Sequence, residues 1–99
     1  MNSNELTGRT TLQIERSPPG ATYVWPNANF NYPVRLSRQL NRTDLKFVPA
    51  SWIRRESFAG RRSLDIAIDH HVRLSSEQLE LLRTQEGLGR IKVHRFTET

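Results

Sequence analysis

The string Leu64-Asp-Ile-Ala-Ile-Asp-His-His71 is the sharpest chemical feature of this chain. An apolar, alternating run ends in one carboxylate and two imidazoles. Carboxylate oxygen and imidazole nitrogen suit Mn²⁺ or Zn²⁺, and a loop at a strand end leaves coordination sites open for water. Asp69, His70 and His71 are therefore the candidate metal ligands. The plainer reading is a strand leaving its sheet, with Asp69 tying down backbone N–H groups in the following turn. A metal-free nuclease needs only acid/base groups and a cation near the phosphate. His70, His71, His94, Tyr23 and several arginines supply those types, although their spacing selects no particular set.

The Asp-His-His string after an apolar strand resembles the signature of the DHH phosphoesterase superfamily, which includes exonucleases and pyrophosphatases. The resemblance implies a motif at a strand end that binds divalent metal ions and activates water. It implies Asp69 and His70 as ligands, with His71 beside them. It covers about eight residues. The family draws further ligands from upstream carboxylate motifs. Here the upstream acids are Glu5, Glu15, Asp44, Glu56 and Asp65, and no Asp-x-Asp string occurs among them. The same run is similar to a Walker B segment, but there is no Gly-rich phosphate loop to accompany it. No Gly-x-Ser-x-Gly elbow is present either.

A second group is the arginines. The formal net charge is +5. It concentrates between Arg35 and Arg62, where eight basic residues face two acidic ones. The basic residues are Arg35, Arg38, Arg42, Lys46, Arg54, Arg55, Arg61 and Arg62. Arginine forks onto phosphate and carboxylate and stacks on flat rings. Local basicity is what a polyanion-binding face requires, because its field sums over nearby charges. Arg35, Arg38 and Arg42 fall on one helical face by their spacing of three and four. Tyr32, Phe47, Trp52 and Phe58 interleave with these cations. An exposed Trp52 or Phe30 could stack on a base. For Phe47 and Trp52 the core is the expected place.

These residues must be carried by a small framework. Thr10 to Arg16 alternates and reads as a strand, with Leu12 and Ile14 on one side. Pro19-Gly20 suits a type II turn into a second strand, Ala21 to Trp25, and the two make a hairpin. Pro33 opens a helix running to about Leu40, closed by Asn41 in the left-handed conformation. Leu45 to Val48 is a short strand, and Ser51 could cap a brief helical turn that ends at Gly60. Ser63 to Asp69 alternates as a strand. Ser75 and Gln78 form a capping box, with Leu74 and Leu79 as a hydrophobic staple. That helix spans about Ser76 to Glu86, with Gly87 at its C′ position and Leu88 folding back on Leu82. Arg90 to Phe96 is the last strand.

The expectation is an α/β fold: one small domain over residues 10–99, after a disordered tail over residues 1–9. Its order is β-β-α-β-(α)-β-α-β, with a mixed sheet of four to five strands and two main helices. Without cysteine there are no disulfides, thiolate zinc sites or iron–sulfur clusters. No apolar run is long enough to cross a bilayer, and the chain reads as cytoplasmic. The functional expectation is a non-enzymatic binding module that takes an acidic macromolecule through Arg35, Arg38, Arg42, Arg54, Arg55, Arg61 and Arg62. Nucleic acid is the first partner. An acidic protein surface is the second, as for a small regulator or inhibitor encoded by a mobile element. The third reading is a metal-dependent phosphoesterase built on Asp69, His70 and His71. No cofactor is expected for the binding module. The hairpin or the last strand offers an edge for pairing into a homodimer across a two-fold axis.

Overall fold

The computed structural model describes residues 8–60 and 63–95. Residues 1–7 of the expected tail, and Arg61 and Arg62, lie outside the described residues. The elements in order are helix α1 (Arg9–Arg16), strand β1 (Thr22–Trp25), helix α2 (Asn31–Gln39) and strand β2 (Lys46–Pro49). A 3₁₀ turn (Ala50–Trp52) and a one-turn helix α3 (Arg55–Phe58) follow. Strand β3 (Leu64–Ile68), helix α4 (Ser76–Gly87) and strand β4 (Ile91–Arg95) complete the described elements. The fold is α/β, with a four-stranded sheet ordered β2-β1-β3-β4.

All three strand pairings are parallel, with Tyr23 beside Phe47 and Ala67, and Ile66 beside Val93. This corrects the hairpin and the mixed sheet. The first element among the described residues is a helix, and its buried stripe is largely polar. Thr10, Thr11, Gln13 and Ile14 face inward, while Leu12 is 43% exposed. The apparent Leu12–Ile14 alternation is therefore no strand face. The Pro19-Gly20 turn does form, with Ala21 N donating to Pro18 O and Gly20 at φ 71°. It joins a helix to a strand.

Alternate strand residues feed two cores. Tyr23, Trp25 and Ala67 pack with Ile14 of α1 and Leu36 of α2 on one face. Val24, Val48, Ile66, Ile68 and Ile91 pack with Ile53, Phe58 and Leu82 on the other. Phe47 and Trp52 are partly buried against these cores. Buried on both sides, the central strands resemble those of other parallel sheets.

The helix ends follow local chemistry. Asn27 Oδ1 accepts from Asn29 N, and Asn29 Oδ1 from Asn31 N, so two Asx turns stiffen the entry to α2. Asn41 closes the far end at φ 59°. The Ser75–Gln78 capping box is present in both directions. At its other end α4 runs past the expected stop. Gly89, at φ 77°, takes the C′ position in place of Gly87. Gly89 N donates to Glu86 O and Arg90 N to Gln85 O, the bond pair of a Schellman motif. Leu88 is consequently 60% exposed and does not fold back on Leu82.

Candidate functional site at the carboxyl edge of the sheet

The chain leaves β1 for α2 on one face and leaves β3 for α4 on the other. The carboxyl ends of β1 and β3 thus flank the point where the strand order reverses, and open α/β sheets bind ligands in that crevice. A cavity of about 560 Å³ lies here, lined by Gly8, Arg9, Thr10, Trp25, Tyr32, His70 and His71. A second cavity of about 370 Å³ adjoins it across His70 and includes Arg73 and Arg95 in its wall. In a parallel sheet the connecting helices begin at this edge, so the amino ends of α1, α2 and α4 bring partial positive charge toward it.

Asp69 is the hub. It directly follows β3 and is 1% exposed. Its Oδ2 accepts from Tyr23 Oη at 2.7 Å and from Thr10 Oγ1 at 3.1 Å. Its Oδ1 accepts from His71 N at 2.8 Å and pairs with His71 Nδ1, also at 2.8 Å. Burial, reinforced by the Asp69 charge, pushes the Tyr23 phenol well above its ordinary value of 10.0. Tyr23 is therefore a neutral donor that steadies the carboxylate.

The two histidines are set differently. His71 is 54% exposed at its side chain, and its ring meets Trp25 edge-on at 5.8 Å. With Nδ1 held by Asp69, its Nε2 is the ring nitrogen left for a ligand. His70 is held by α1: Gln13 Oε1 lies 3.0 Å from His70 N and 2.9 Å from His70 Nδ1. Gln13 Nε2 in turn donates to Ile68 O. The rings of His70 and His71 stack with centroids 4.0 Å apart.

Asp69, His70 and His71 offer ligand atoms within 4.8 Å of one another, as the DHH-like string implied. The donor set nonetheless fits a metal poorly. A carboxylate has about four lone-pair sites, and four protein donors already fill those of Asp69. A cation could reach Asp69 only by evicting one of them.

Of the arginines singled out by sequence, the five among the described residues do not share one face. Arg42 turns inward and forks onto the carboxyl end of α1. It donates to Ile14 O at 2.7 Å, Ser17 O at 2.9 Å and both oxygens of Asp44 at 3.1 Å. Hydrogen bonds from Arg42 and from Gly20 N hold the Asp44 carboxyl well below the usual carboxylate range. Arg35 and Arg38 are exposed on α2, on the Tyr23 face of the sheet. Arg54 and Arg55 are exposed on the Val24 face, next to a segment whose Ala50 and Ile53 carbonyls accept from Gln78 Nε2 at the start of α4. These two thus come off the carboxyl edge, whereas Arg42 sits at the opposite end of the strands.

Residues that sequence reasoning passed over complete the site: Thr10, Gln13, Arg9, Arg73 and Arg95. One signal was available for Arg73. It lies two residues after the Asp-His-His string, in the loop that any strand-end site must use. His94, by contrast, pairs with Asp65 at 3.0 Å and lines neither cavity, although in register it lies beside Ala67, one residue short of the edge.

Compared with protein-family models, with curated proteins and with solved structures, the chain matches none. Among the described residues, no helix is long and apolar enough to cross a membrane.

Proposed function

We propose that this protein binds single-stranded nucleic acid along the carboxyl edge of its sheet. The observation that carries the reading is the pair of adjoining cavities. One has an aromatic wall, Trp25 and Tyr32, and the other carries Arg73 and Arg95. Stacked bases and charge-neutralised phosphates are what such a pair accommodates. Arg54 and Arg55 extend the cationic rim. Arg35 and Arg38 add attraction at longer range, with no sequence preference. Arg42 takes no part, because its guanidinium is committed to the fold.

One observation favours nucleic acid over an acidic protein surface. Among the described residues the exposed large hydrophobic side chains are Leu12 and Leu88, on separate helices. A protein-docking face more often presents a contiguous apolar patch. The net charge of +5 supports an acidic partner of either kind.

Fluorescence anisotropy of a labelled single-stranded RNA, titrated across a salt series, tests the reading. Affinity should fall steeply as salt rises. Arg73→Ala with Arg95→Ala should weaken binding and flatten the salt slope by about two phosphate contacts. In a Trp52→Phe background, Trp25 becomes the sole tryptophan, and its emission should be quenched by bound RNA. A salt-independent affinity, or none, would overturn the proposal.

A further inference from the structure

The crevice holds an arrangement that binding alone does not require. Asp69 is buried, carries four donors and directs one of its oxygens at Nδ1 of an exposed histidine. A buried carboxylate so placed fixes the imidazole tautomer and stabilises the imidazolium that forms when Nε2 takes a proton. Supporting groups from α1 and β1, Thr10 and Tyr23, hold the carboxylate in turn. From this geometry, and resting on the nucleic-acid reading above, we infer that His71 is a general base that cleaves RNA without a metal ion, with Asp69 as its positioning residue.

The nucleophile comes from the substrate. Thr10 carries the one hydroxyl of Ser or Thr type in the cavity lining, and that hydroxyl is spent on Asp69. RNA brings its own nucleophile, a ribose 2′-hydroxyl beside the phosphorus, and such intramolecular attack gains greatly from proximity. His71 Nε2 takes the 2′-hydroxyl proton. The 2′-oxygen bonds to phosphorus, and the bond from phosphorus to the 5′-oxygen breaks. Water protonates the departing 5′-oxygen, and His71 returns its proton to the hydroxide left behind. The products are a 2′,3′-cyclic phosphate and a 5′-hydroxyl, with no net consumption of water. Arg9 lines the same cavity, and a positive charge there offsets the phosphorane charge.

With the lone pairs of Asp69 already filled, the cleavage proceeds without a metal. Removal of His71 should matter far more than removal of divalent ions. The experiment uses the full chain, a single-stranded RNA and its all-deoxy counterpart, with and without EDTA. Cleavage of the RNA in EDTA, with cyclic phosphate ends and none in the deoxy strand, is the expected result. His71→Ala should lower the rate at least about 100-fold, in keeping with loss of a general base. His94→Ala, outside the crevice, should leave it unchanged. Asp69→Asn should lower kcat with little change in KM. It should also alter the ¹⁵N signature of the His71 tautomer, which a loss of stability alone would not do. RNA that binds with salt-dependent affinity yet stays intact would overturn the catalytic inference while leaving the binding proposal standing. Cleavage only with added metal, equal cleavage of the deoxy strand, or undiminished activity in His71→Ala would overturn it as well.

Discussion

Tyr23 Oη donates to Asp69 Oδ2 across 2.7 Å, joining the middle of β1 to the residue that follows β3. The bond ties two neighbouring strands together beneath the crevice and gives a buried carboxylate one of its four donors. Tyr23 is itself fully buried, between the strands and the aromatic ring of Phe47, whose centroid is 5.5 Å away. Structure and site therefore depend on the same oxygen.

The first prediction follows from that phenol. Its pKa in the fold lies above the ordinary 10.0, so the folded state keeps a proton that the unfolded state gives up. The contribution is complete below pH 10 and is lost as pH rises above it. Within that window, stability should fall by about 1.4 kcal/mol per pH unit through this one group. Tyr23→Phe removes that slope. At neutral pH the variant should cost roughly 1.5–3 kcal/mol, the range for a hydrogen bond to a charged group. Urea denaturation of both proteins at neutral and alkaline pH measures the difference, and identical alkaline slopes would contradict it.

A second prediction concerns Arg42. Four main-chain carbonyls, from Ile14, Glu15, Ser17 and Pro18, accept from its guanidinium. Arg42→Ala leaves the last carbonyls of α1 without that partner and should destabilise the fold by about 1–3 kcal/mol. Arg42→Lys should rescue little, because one ammonium cannot reproduce a planar fork. RNA affinity measured well below the melting temperature should not change. A large loss of affinity with normal stability would show that this arginine serves the ligand after all.

The two glycines that end α4 give opposite predictions. Gly87 is helical, and a Cβ there would meet nothing within 4 Å. Gly87→Ala should stabilise by roughly 0.5–1 kcal/mol. Gly89 has equal room but a φ of 77°. Gly89→Ala should destabilise by about 1–2 kcal/mol, because a side chain is strained in the left-handed region. Thermal melts of the two single variants should therefore shift in opposite directions.

Much of the framework could be read from local sequence. Ser75 and Gln78 announce α4, since a capping box needs only four residues. Pro19-Gly20 and Asn41 announce their turns for the same reason. The alternation of Leu64, Ile66 and Ile68 announces β3. Helix α1 could not be read this way. Thr10, Thr11 and Gln13 are polar, and two of them are buried by hydrogen bonds to partners more than 50 residues away. Nothing near them in sequence reveals those partners. The expected mixed sheet followed from the same misreading, for without a first strand there is no hairpin. The site was half legible. Asp69, His70 and His71 stand together in sequence and in space. Their cationic neighbours Arg9, Arg73 and Arg95 occur singly along the chain and meet only where the strands end. The dense arginine run drew attention because it is contiguous, yet the fold spreads its described members over two faces and turns Arg42 inward.

The strand order has a temporal consequence during synthesis. β1 sits in the middle of the sheet, but its second neighbour, β3, is not made until some forty residues later in sequence. A nascent chain that has emerged only through β2 exposes one unpaired border of β1 and lacks every partner of Thr10 and Gln13 named above. Pairing across such a gap is slow compared with local helix formation. α1 must therefore wait, its polar stripe still hydrated, until the ribosome delivers the segment around Asp69. The protein acquires the packing of α1 and its crevice in one late event, and a fragment that stops before Asp69 possesses neither.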